Sequence, residues 1–435
     1  MPFEKPEDRP LRHVVIVAAG DTGFGSHLAP VQASGGYKHG NFQTWEEALS
    51  TIAPEINGDI NFANLETVVT DRNDLVPTAK TYNFRTHPDA VRHLAGIGFN
   101  LFSTANNHAF DYGRSGIVET IDNLSAIGPR ITYAGTGHDR REAAAARLVE
   151  AGGTRFAFAA IGIGVSLGAA RASDATPGQL AIFDRRDVDL MVDNLASADA
   201  EYRIASVHSG KERVVLPGQN EIALWRDEVA ASGAADMVLI HHSHVARPVA
   251  MIGDRIVFFG LGNFVHFGTA NMNDAGVCRD FSILVRVHLL DGLDGALRLA
   301  AIEIVPIRST HLHPERLAPA EARKRIAVLN TLARAVDNPG LDATGVRFTA
   351  RGDGTGLFCT ALGLGNPGEL DGLCNAYDAD AARKLAGEVR AGGCLSGGTG
   401  TSPAKATQVS AEPRRKKFGW SLPGLQLPFF RHKNR

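Results

Sequence analysis

Short apolar runs typical of strands alternate with segments of helical spacing over the first half of the chain. HVVIVAAG (residues 13–20), GDINFANLE (58–66) and FNLFSTA (99–105) are runs of this kind. Between them, WEEALSTI (45–52) and HPDAVRHLAGIG (87–98) place apolar residues at helical spacing. Strands that alternate with helices predict an α/β fold with a largely parallel sheet at its centre.

From about residue 249 the pattern changes to apolar runs joined by turn residues. PVAMIGDRIVFFGLGNF, FSILVRVHLL and LRLAAIEIVPI are such runs, and Gly253-Asp254 is typical of a hairpin turn. Antiparallel strands therefore extend the sheet or build a second one against it. Residues 314–340 have the spacing of a helix. We predict one domain over residues 12–308, with a C-terminal helical extension over residues 309–364.

The two ends of the chain differ in composition from this domain. Residues 1–11 form a polar leader, and residues 365–412 are rich in glycine, which is typical of a linker. Residues 413–435 carry basic side chains around an aromatic middle. The plain interpretation of this tail is a solvated end. The alternative is peripheral contact with an anionic membrane or with a partner protein, since basic and aromatic side chains both favour it.

Composition excludes several classes of protein. Of the 435 residues, 44% are apolar and 21% are charged, and the formal net charge is −2. That balance is typical of a globular protein and gives no indication of nucleic-acid binding. No apolar run approaches the roughly 20 residues that span a bilayer, and no signal peptide is evident, so a cytoplasmic location is predicted. The four cysteines are scattered and predict neither a disulfide framework nor a thiolate zinc site.

Polar side chains follow the predicted strands at the points where those strands end. In an open α/β sheet, the carboxyl ends of the strands form the edge at which ligands bind. Carboxylate, amide and imidazole donors suit manganese, iron or zinc better than they suit a soft-thiolate site. Their number exceeds what one tetrahedral ion needs and suits two ions that share a carboxylate. The strand-end residues are Asp21, Glu66, Asn107, His108, His208, His241, His242 and His244.

Each of these residues also has a simple structural explanation. Asp21 and Glu66 could cap the helices that follow them, and Asn107 could occupy a left-handed turn. HHSH, residues 241–244, could lie in a surface loop. GDTGFG lacks the Lys-Ser/Thr of a phosphate-binding P-loop. The repetition of polar residues at five strand ends is what favours a metal site.

Arg85 lies in TYNFRTHP, between Glu66 and the next predicted helix. A guanidinium group can bind a phosphate or a carboxylate through two parallel hydrogen bonds. We therefore predict Arg85 as an anion-binding residue for the substrate, with a surface ion pair as the alternative. Asn106 and Asn263 are predicted to bind substrate as well.

Six segments occur in the order and spacing of a known family. They are GDTGFG, ANLET, ANNHAFDYG, HSGKE, HHSHV and GLGNF, and ANNHAFDYG is the most specific of them. Over residues 12 to about 360, the chain resembles the CapA family of capsule (poly-γ-glutamate) synthesis proteins, which is related to calcineurin-like metallophosphoesterases. The resemblance implies a metallophosphoesterase-like α/β/β/α sandwich with a mixed sheet and a metal site at the sheet edge.

The resemblance also implies roles for individual residues. Glu66 stands where phosphoesterases have a bridging aspartate. His108 would act as a general acid, with Asp111 holding it in position. The first strand has Asp21-Thr22-Gly23 in place of the phosphoesterase pattern Asp-x-His, so one imidazole ligand is missing and one or two ions are expected. The implied ligands are Asp21, Glu66, Asn107, His208, His242 and His244, with His241 open as a replacement for His242.

Three functions agree with these residues and with the resemblance. The favoured one is a metal-dependent hydrolase that acts on a phosphoester or acyl phosphate, with a small-molecule or polymer phosphate or carboxylate as its substrate. The second, implied by the family, is a component of poly-γ-glutamate or related amide-polymer biosynthesis. The third is a scaffold that keeps the fold without catalysis. Ser209 and Ser243 stand where the family has Trp and Pro, which bears on the substrate more than on the metal site.

Overall fold

The computed structural model describes residues 11–38, 40–163, 170–389 and 394. Among these residues, two large β-sheets pack face to face, and helices cover the outer face of each sheet. The predicted leader (apart from its last residue), residues 390–393 and 395–412 of the predicted linker, and the whole of residues 413–435 lie outside the described residues.

Sheet 1 has ten strands within the described residues, and these strands mix both directions. Its strands are β1 (His13–Gly23), β4 (Ile60–Leu65), β7 (Leu101–Ser103), β8 (Thr132–Ala134), β17 (Asn263–His266), β18 (Ser282–Asp291), β19 (Leu297–Arg308), β20 (Glu315–Arg316), β22 (Thr349–Ala350) and β23 (Gly356–Cys359). The spatial order is β22-β23-β19-β18-β1-β4-β7-β8, with β17 beside the end of β1 and β20 beside β19. Strands β1, β4, β7 and β8 are parallel, whereas β18 and β19 form an antiparallel hairpin.

Sheet 2 has seven strands among the described residues. They are β10 (Arg147–Ala151), β11 (Thr154–Gly162), β13 (Tyr202–His208), β14 (Met237–His241), β15 (Val249–Ile252), β16 (Arg255–Phe258) and β21 (Ala343–Gly345). The central strands β11, β13, β14 and β16 are parallel, and β10 and β15 flank them in the antiparallel direction. Hairpins after residue 249 therefore extend both sheets, as the sequence predicts.

Smaller elements connect and cover the sheets. Three strand pairs are β2 (Gly35–Lys38) with β3 (Asn41–Thr44), β5 (Val68–Val69) with β6 (Arg85–Thr86), and β9 (Thr136–Gly137) with β12 (Gly178–Gln179). The helices are α1 (Trp45–Leu49), α2 (Pro88–Gly96), α3 (Gly113–Ile127), α4 (Arg140–Ala143), α5 (Arg185–Ala196), α6 (Gln219–Glu221), α7 (Pro319–Leu332), α8 (Ala361–Gly365) and α9 (Ala379–Leu385). Helix α6 continues with π-type winding over Ile222–Ala230. Short 3₁₀ turns cover Ala53–Glu55, Ala333–Val336, Pro339–Leu341, Gly368–Leu370 and Leu373–Ala376.

Alternation along β1 explains how one strand serves two layers of the fold. Val14, Ile16 and Ala18 face sheet 2, whereas Val17 and Ala19 face the helices outside sheet 1. Successive side chains of a strand point to opposite faces, so an apolar run of this kind is buried on both sides. Full burial of one large apolar side chain contributes about 1.5–3 kcal/mol.

Three apolar clusters define four layers. The cluster between the sheets joins side chains such as Phe62 of sheet 1 and Phe158 of sheet 2. A second cluster packs α1 and α2 on the outer face of sheet 1, and a third packs α5 and the segment Ile222–Ala230 on the outer face of sheet 2. The predicted α/β/β/α sandwich with a mixed sheet is confirmed.

Folded elements occupy part of the stretch predicted as a linker. Helix α9 lies against α7, where Asn330 and Thr331 bond to the carbonyl groups of Ala382 and Ala386 at 3.1 and 2.7 Å. Leu370 is buried in an apolar cluster with residues of sheet 1. For residues 365–389 the linker prediction is wrong, because a few apolar residues among the glycines supply enough buried surface for packing.

Two disulfide bonds pair all four cysteines of the chain. Cys278 bonds to Cys394, and Cys359 bonds to Cys374, with Cα–Cα distances of 5.5 and 5.9 Å. The prediction that the cysteines form no disulfide framework is therefore wrong. Folding brings together cysteines that are 116 and 15 residues apart, and their spacing in the sequence carries no signal of that pairing.

Within the described ranges, no helix has both the length and the apolar character to cross a membrane. The cytoplasmic location remains a prediction. Disulfide bonds are typical of oxidising compartments, so the two bonds count against it.

Candidate metal centre

Strands of both sheets end at one side of the sandwich and bring their polar residues together there. Strands β1, β4, β7 and β17 belong to sheet 1, and β13 and β14 belong to sheet 2. Most of the predicted strand-end residues meet at this place, which is the arrangement expected at the carboxyl ends of parallel strands. The side chains gathered here are Asp21, Glu66, Asn107, His108, His208, His242 and His244.

Gly20 and Gly262 allow β17 to lie beside the end of β1. A Cβ atom on Gly20 would lie 1.8 Å from the carbonyl oxygen of Gly262, so a larger residue would force the two strands apart. The Asp21 amide donates a hydrogen bond to the same carbonyl at 3.0 Å. The strand register shifts directly after Asp21, and such bulges are common next to active sites.

Glu66 follows β4 and lies at the centre of the cluster. Its side chain is fully buried, and neither carboxylate oxygen has a hydrogen-bond partner among the described residues. Burial alone would raise the pKa of Glu66, but the nearby His244 and His208 outweigh burial and hold this pKa well below its usual range. A buried carboxylate without hydrogen bonds is costly unless a cation or another partner approaches it.

One group of donor atoms lies on the Oε1 side of Glu66. His208 Nε2 is 3.4 Å from Oε1 of Glu66. The same nitrogen is 2.7 Å from Asn107 Oδ1 and 3.1 Å from His242 Nδ1. We call Glu66, Asn107, His208 and His242 the first donor group.

A second group lies on the Oε2 side of Glu66. His244 Nδ1 is 3.8 Å from Oε2 and 3.3 Å from Asp21 Oδ2. Burial disfavours the charged form of His244, but the carboxylates of Glu66 and Asp21 outweigh burial and raise the pKa of His244 to about 10. We call Asp21, Glu66 and His244 the second donor group.

The chemistry of these residues fits a divalent transition-metal ion. Ligand atoms of Glu66, His242 and His244 lie within 4.8 Å of one another, which is close enough for one ion to reach all three. Carboxylate, amide and imidazole donors suit manganese, iron and zinc. Both oxygens of Glu66 lack hydrogen-bond partners in the described residues, so each is free to accept a cation.

The loop after β14 is strained, and it directs two imidazoles into the cluster. His242 and His244 have φ angles of 84° and 56°, in the left-handed region that residues other than glycine rarely adopt. Each such residue costs about 1–2 kcal/mol, and strain of this kind is common at functional sites. His241 instead stacks on Phe62 with ring centroids 5.4 Å apart, and burial lowers its pKa to about 4. The structure therefore places His242 in the first donor group, and it places His241 on Phe62 with Nδ1 3.8 Å from Asp21 Oδ1.

His108 faces the cluster with one nitrogen and a carboxylate with the other. Its Nδ1 lies 2.7 Å from Asp111 Oδ2, and its Nε2 lies 4.0 Å from Glu66 Oε1. Lys80 Nζ, which can only donate, lies 3.2 Å from the same nitrogen, but the shorter contact with a carboxylate, which can only accept, assigns the proton to Nδ1. Burial lowers the pKa of His108, although the neighbouring Asp111 works in the opposite direction. Lys80 donates to Asp111 Oδ1 at 2.5 Å and thereby fixes the carboxylate.

The three residues predicted to bind substrate take different positions. Asn106 is fully buried, and its amide donates to the Leu65 carbonyl while its oxygen accepts from the His108 amide. Asn263 Oδ1 lies 2.8 Å from His244 Nδ1, beside the second donor group. Arg85 is not brought to the cluster by any contact among the described residues.

The Arg85 guanidinium is used inside the fold. Its Nε donates to the carbonyl of Ala29 at 3.1 Å, and Nη1 donates to the carbonyl of Arg72 at 3.2 Å. The group lies over the ring of Tyr112, 5.3 Å from the ring centroid. These contacts join three segments of chain and match neither the predicted anion-binding role nor the surface ion pair.

Sequence reasoning missed three residues at this site. His266 Nε2 lies 3.4 Å from Glu66 Oε2, and Asn64 donates to Asp21 Oδ1 at 2.8 Å. Lys80 contacts Asp111, as described above. His266 does end an apolar run, which is a weak signal of the kind used for the other strands. Asn64 and Lys80 carry no such signal, because one lies within a strand and the other within a loop.

A four-layer α/β/β/α sandwich that collects carboxylate, amide and imidazole donors at its strand ends is a metallophosphoesterase-like fold. The family model described as "Bacterial capsule synthesis protein PGA_cap" matches residues 15–267, more than half of the 435 residues. The chain belongs to this family, and the resemblance to CapA proteins is confirmed.

Named relatives are 25–27% identical to the chain over the aligned stretches. The "PGA biosynthesis protein CapA" of Bacillus subtilis is 27% identical over 55% of this chain and 60% of its own length. The "Capsule biosynthesis protein CapA" of Bacillus anthracis is 25% identical over 73% of this chain and 74% of its own length. A "Probable polyglutamine synthesis accessory protein" of Mycobacterium tuberculosis is 27% identical over 64% of this chain and 73% of its own length.

Two solved structures align with the chain at a TM-score of 0.37 each. One is a hypothetical protein from Thermus thermophilus, with 14% identity over 69% of this chain and 99% of that chain. The other is the NAD nucleotidase of Haemophilus influenzae, with 11% identity over 74% of this chain and 63% of that chain.

Proposed function

We propose that this protein is a metal-dependent hydrolase that acts on a phosphoester or an acyl phosphate. The observation that carries the proposal is the environment of Glu66. Its two buried oxygens have no hydrogen-bond partner in the described residues, and each faces its own group of nitrogen and oxygen donors. Such a carboxylate is suited to bridge two cations.

The two donor groups would hold one or two ions of manganese, iron or zinc. Glu66, Asn107, His208 and His242 would hold the first, and Asp21, Glu66 and His244 would hold the second. When bound, such ions polarise a phosphoryl oxygen and lower the pKa of a water molecule.

His108 would handle the proton of the leaving group. As the bond between phosphorus and the leaving oxygen breaks, a proton on Nε2 would pass to that oxygen. The oxygen of water would form the new bond to phosphorus, and the proton that this water releases would return to Nε2. Asp111 keeps the ring in place through Nδ1 at 2.7 Å, and Lys80 keeps Asp111 in place. Phe84 packs on the ring with centroids 4.3 Å apart and excludes water from that face.

A neighbouring cavity would receive the body of the substrate. It has a volume of about 390 Å³, and its lining includes His27, Tyr82 and Gly268. Phe84 connects it to the cluster, because its ring packs against those of both Tyr82 and His108. Aromatic walls beside a phosphate-directed site suit a small molecule or one end of a polymer.

A role in poly-γ-glutamate or related amide-polymer biosynthesis is the second candidate. Family membership favours it, as do the names of the Bacillus relatives. An acyl phosphate links the two candidates, because its phosphate can be lost to water or its acyl group can pass to an amine. A scaffold without catalysis is the third candidate, and the two donor groups around Glu66 count against it.

Metal analysis combined with a phosphate-release assay tests the proposal. Purified full-length protein should contain one or two transition-metal ions per chain. It should also release phosphate from p-nitrophenyl phosphate or acetyl phosphate without any amine present. Phosphate release only with an amine such as glutamate would favour the biosynthetic role. Protein that binds no metal and releases no phosphate would support the scaffold.

A further inference from the structure

We propose that His266 takes the place of the imidazole missing from β1 but acts as a hydrogen-bond donor to Glu66 and not as a metal ligand. The inference rests on the proposed metal site and concerns which residues at the second donor group bind a cation directly. Because His266 would act through Glu66, it is a positioning residue.

Strand pairing carries His266 to the place of the missing ligand. Strand β17 runs parallel to the end of β1, and their register sets His266 opposite Gly23. In the pattern Asp-x-His, the histidine would stand at position 23. A Cβ atom on Gly23 would lie 3.6 Å from Cε1 of His266. The imidazole of β17 therefore occupies the space beside the position from which β1 would have supplied its own.

His266 is buried and directed at Glu66. Its side chain is fully buried, and its Nε2 lies 3.4 Å from Glu66 Oε2. This nitrogen has no hydrogen-bond partner among the described residues. The ring of Phe84 packs against the imidazole at 5.2 Å between centroids, in an edge-to-face arrangement that restricts its rotation.

The other ring nitrogen decides which role His266 can take. Nδ1 accepts a hydrogen bond from the backbone N–H of Gly268 at 3.1 Å. A backbone N–H can only donate, so Nδ1 carries no proton and, in a neutral imidazole, Nε2 carries it. A metal ligand needs the opposite arrangement, with a lone pair on the coordinating nitrogen and the second N–H donated to an oxygen.

The Nε2–H group of His266 is therefore a donor aimed at Glu66 Oε2. The separation of 3.4 Å exceeds the usual N–H···O distance of about 2.9–3.0 Å, so a small rotation of the carboxylate completes the bond. This bond would hold Oε2 in place and leave its second lone pair for a cation. The second donor group then keeps three protein ligands against four in the first. We expect two cations to bind in steps, with the first group filled at the lower concentration.

Nitrogen NMR of the zinc-loaded, full-length protein tests the protonation of His266 directly. The ¹⁵N-histidine signals that disappear in His266→Ala identify this residue. We expect those signals to show a protonated Nε2 and an unprotonated Nδ1. A zinc-bound Nε2 with the proton on Nδ1 would overturn the proposal.

Zinc titration of two variants provides a second readout, because a glutamine amide can donate an N–H where alanine cannot. Loss of an outer hydrogen bond typically weakens metal binding about 10- to 100-fold. We expect His266→Ala to weaken the second zinc by about tenfold without changing the saturating stoichiometry, and His266→Gln to restore most of the loss. Loss of one zinc at saturation, or equal weakening in both variants, would contradict the donor role. Wild-type protein that binds no zinc would contradict the proposed metal site itself.

Discussion

Glu66 and Asp187 are two carboxylates that the fold buries completely, and their surroundings are opposite. Asp187, in α5, accepts hydrogen bonds from Arg140, Arg171 and the amide of Ala181 at 2.7 to 3.0 Å. Glu66 accepts none from the described residues. Asp187 thus joins α4, α5 and the chain near residue 181 into one unit. Glu66 is left with oxygen lone pairs that accept no hydrogen bond from the described residues.

Electrostatic support for the two carboxylates differs in the same way. Burial works against the charged form of each, and nearby groups still hold the pKa of each below its usual range. For Asp187 the main opposing group is Arg171, which stays charged at any ordinary pH. For Glu66 the main opposing group is the imidazole of His244, which is charged only when it is protonated. A carboxylate whose partners are always charged stabilises the fold. A carboxylate whose partners are charged only when protonated is suited to a metal site.

Glu66→Gln should have the largest effect, because it removes the charge and keeps the size of the side chain. We expect metal content to fall and phosphate release to disappear. The melting temperature in EDTA should fall, since His244 and His208 hold the pKa of Glu66 well below its usual range and the substitution removes the charge that they stabilise. Metal analysis and thermal unfolding of one preparation check both parts. A variant that retains all its metal would place the site elsewhere.

The two ring nitrogens of His108 differ in the same way as the two carboxylates. Nδ1 is hydrogen-bonded to Asp111, whereas Nε2 faces the cluster. His108→Ala should keep its metal and lose turnover by about 10²–10⁴-fold, the usual range for a proton-transfer residue. Asp111→Asn should show a smaller loss of the same kind. His138→Ala, at a half-exposed surface histidine, is the matched control and should change neither quantity. Metal loss in His108→Ala would make His108 a ligand.

Asp187→Asn should affect stability and leave the site intact. We expect a loss of about 1.5–3 kcal/mol, because the partly exposed Arg140 and Arg171 lose charge-assisted hydrogen bonds to this carboxylate. Urea unfolding measures this loss, and metal content per folded chain should not change. The Asp187 pKa is depressed in the folded state, so its stabilisation is complete above about pH 4 and is lost as pH falls through the folded value. Metal loss in this variant would remove the distinction between the two carboxylates.

Arg85→Lys should have the smallest effect. It tests whether the guanidinium group of Arg85, which is bonded to two carbonyl groups, serves only the fold. Lysine cannot bond both carbonyl groups and stack on Tyr112, so we expect a loss of about 1 kcal/mol in stability. The KM for a phosphoester should remain unchanged if Arg85 serves only the fold. A large rise in KM with unchanged stability would restore the anion-binding role predicted from the sequence.

The layers of the fold and the donor residues at the strand ends can be predicted from the sequence. Apolar runs mark the strands, and the carboxyl ends of parallel strands lie at a common edge of the sheet. Asp21, Glu66 and His208 are therefore found by their positions after such runs. The place of His266 depends on β17 lying beside β1, and this pairing joins segments about 240 residues apart. Lys80 reaches Asp111 from a loop. Neither contact has a period or spacing that a sequence could show.

The disulfide pairing could not be predicted from the sequence for a related reason. A period in the sequence reports on neighbours within one element, whereas Cys278 and Cys394 are separated along the chain by α7, β23 and α9. The glycine content around Cys394 favours a linker by composition. Composition describes the average over a stretch of residues. One disulfide bond can hold in place a stretch whose average composition is typical of a linker.

The bond between Cys278 and Cys394 makes a closed covalent ring of the chain between them, and the bond between Cys359 and Cys374 closes a smaller ring inside it. A protease that cuts one peptide bond of the larger ring would open it without releasing a fragment. The nicked protein would move as a single chain in electrophoresis without reductant and as two chains with it. Helices α7 and α9 would therefore stay tethered to the sandwich after damage that would detach them from a chain without this bond.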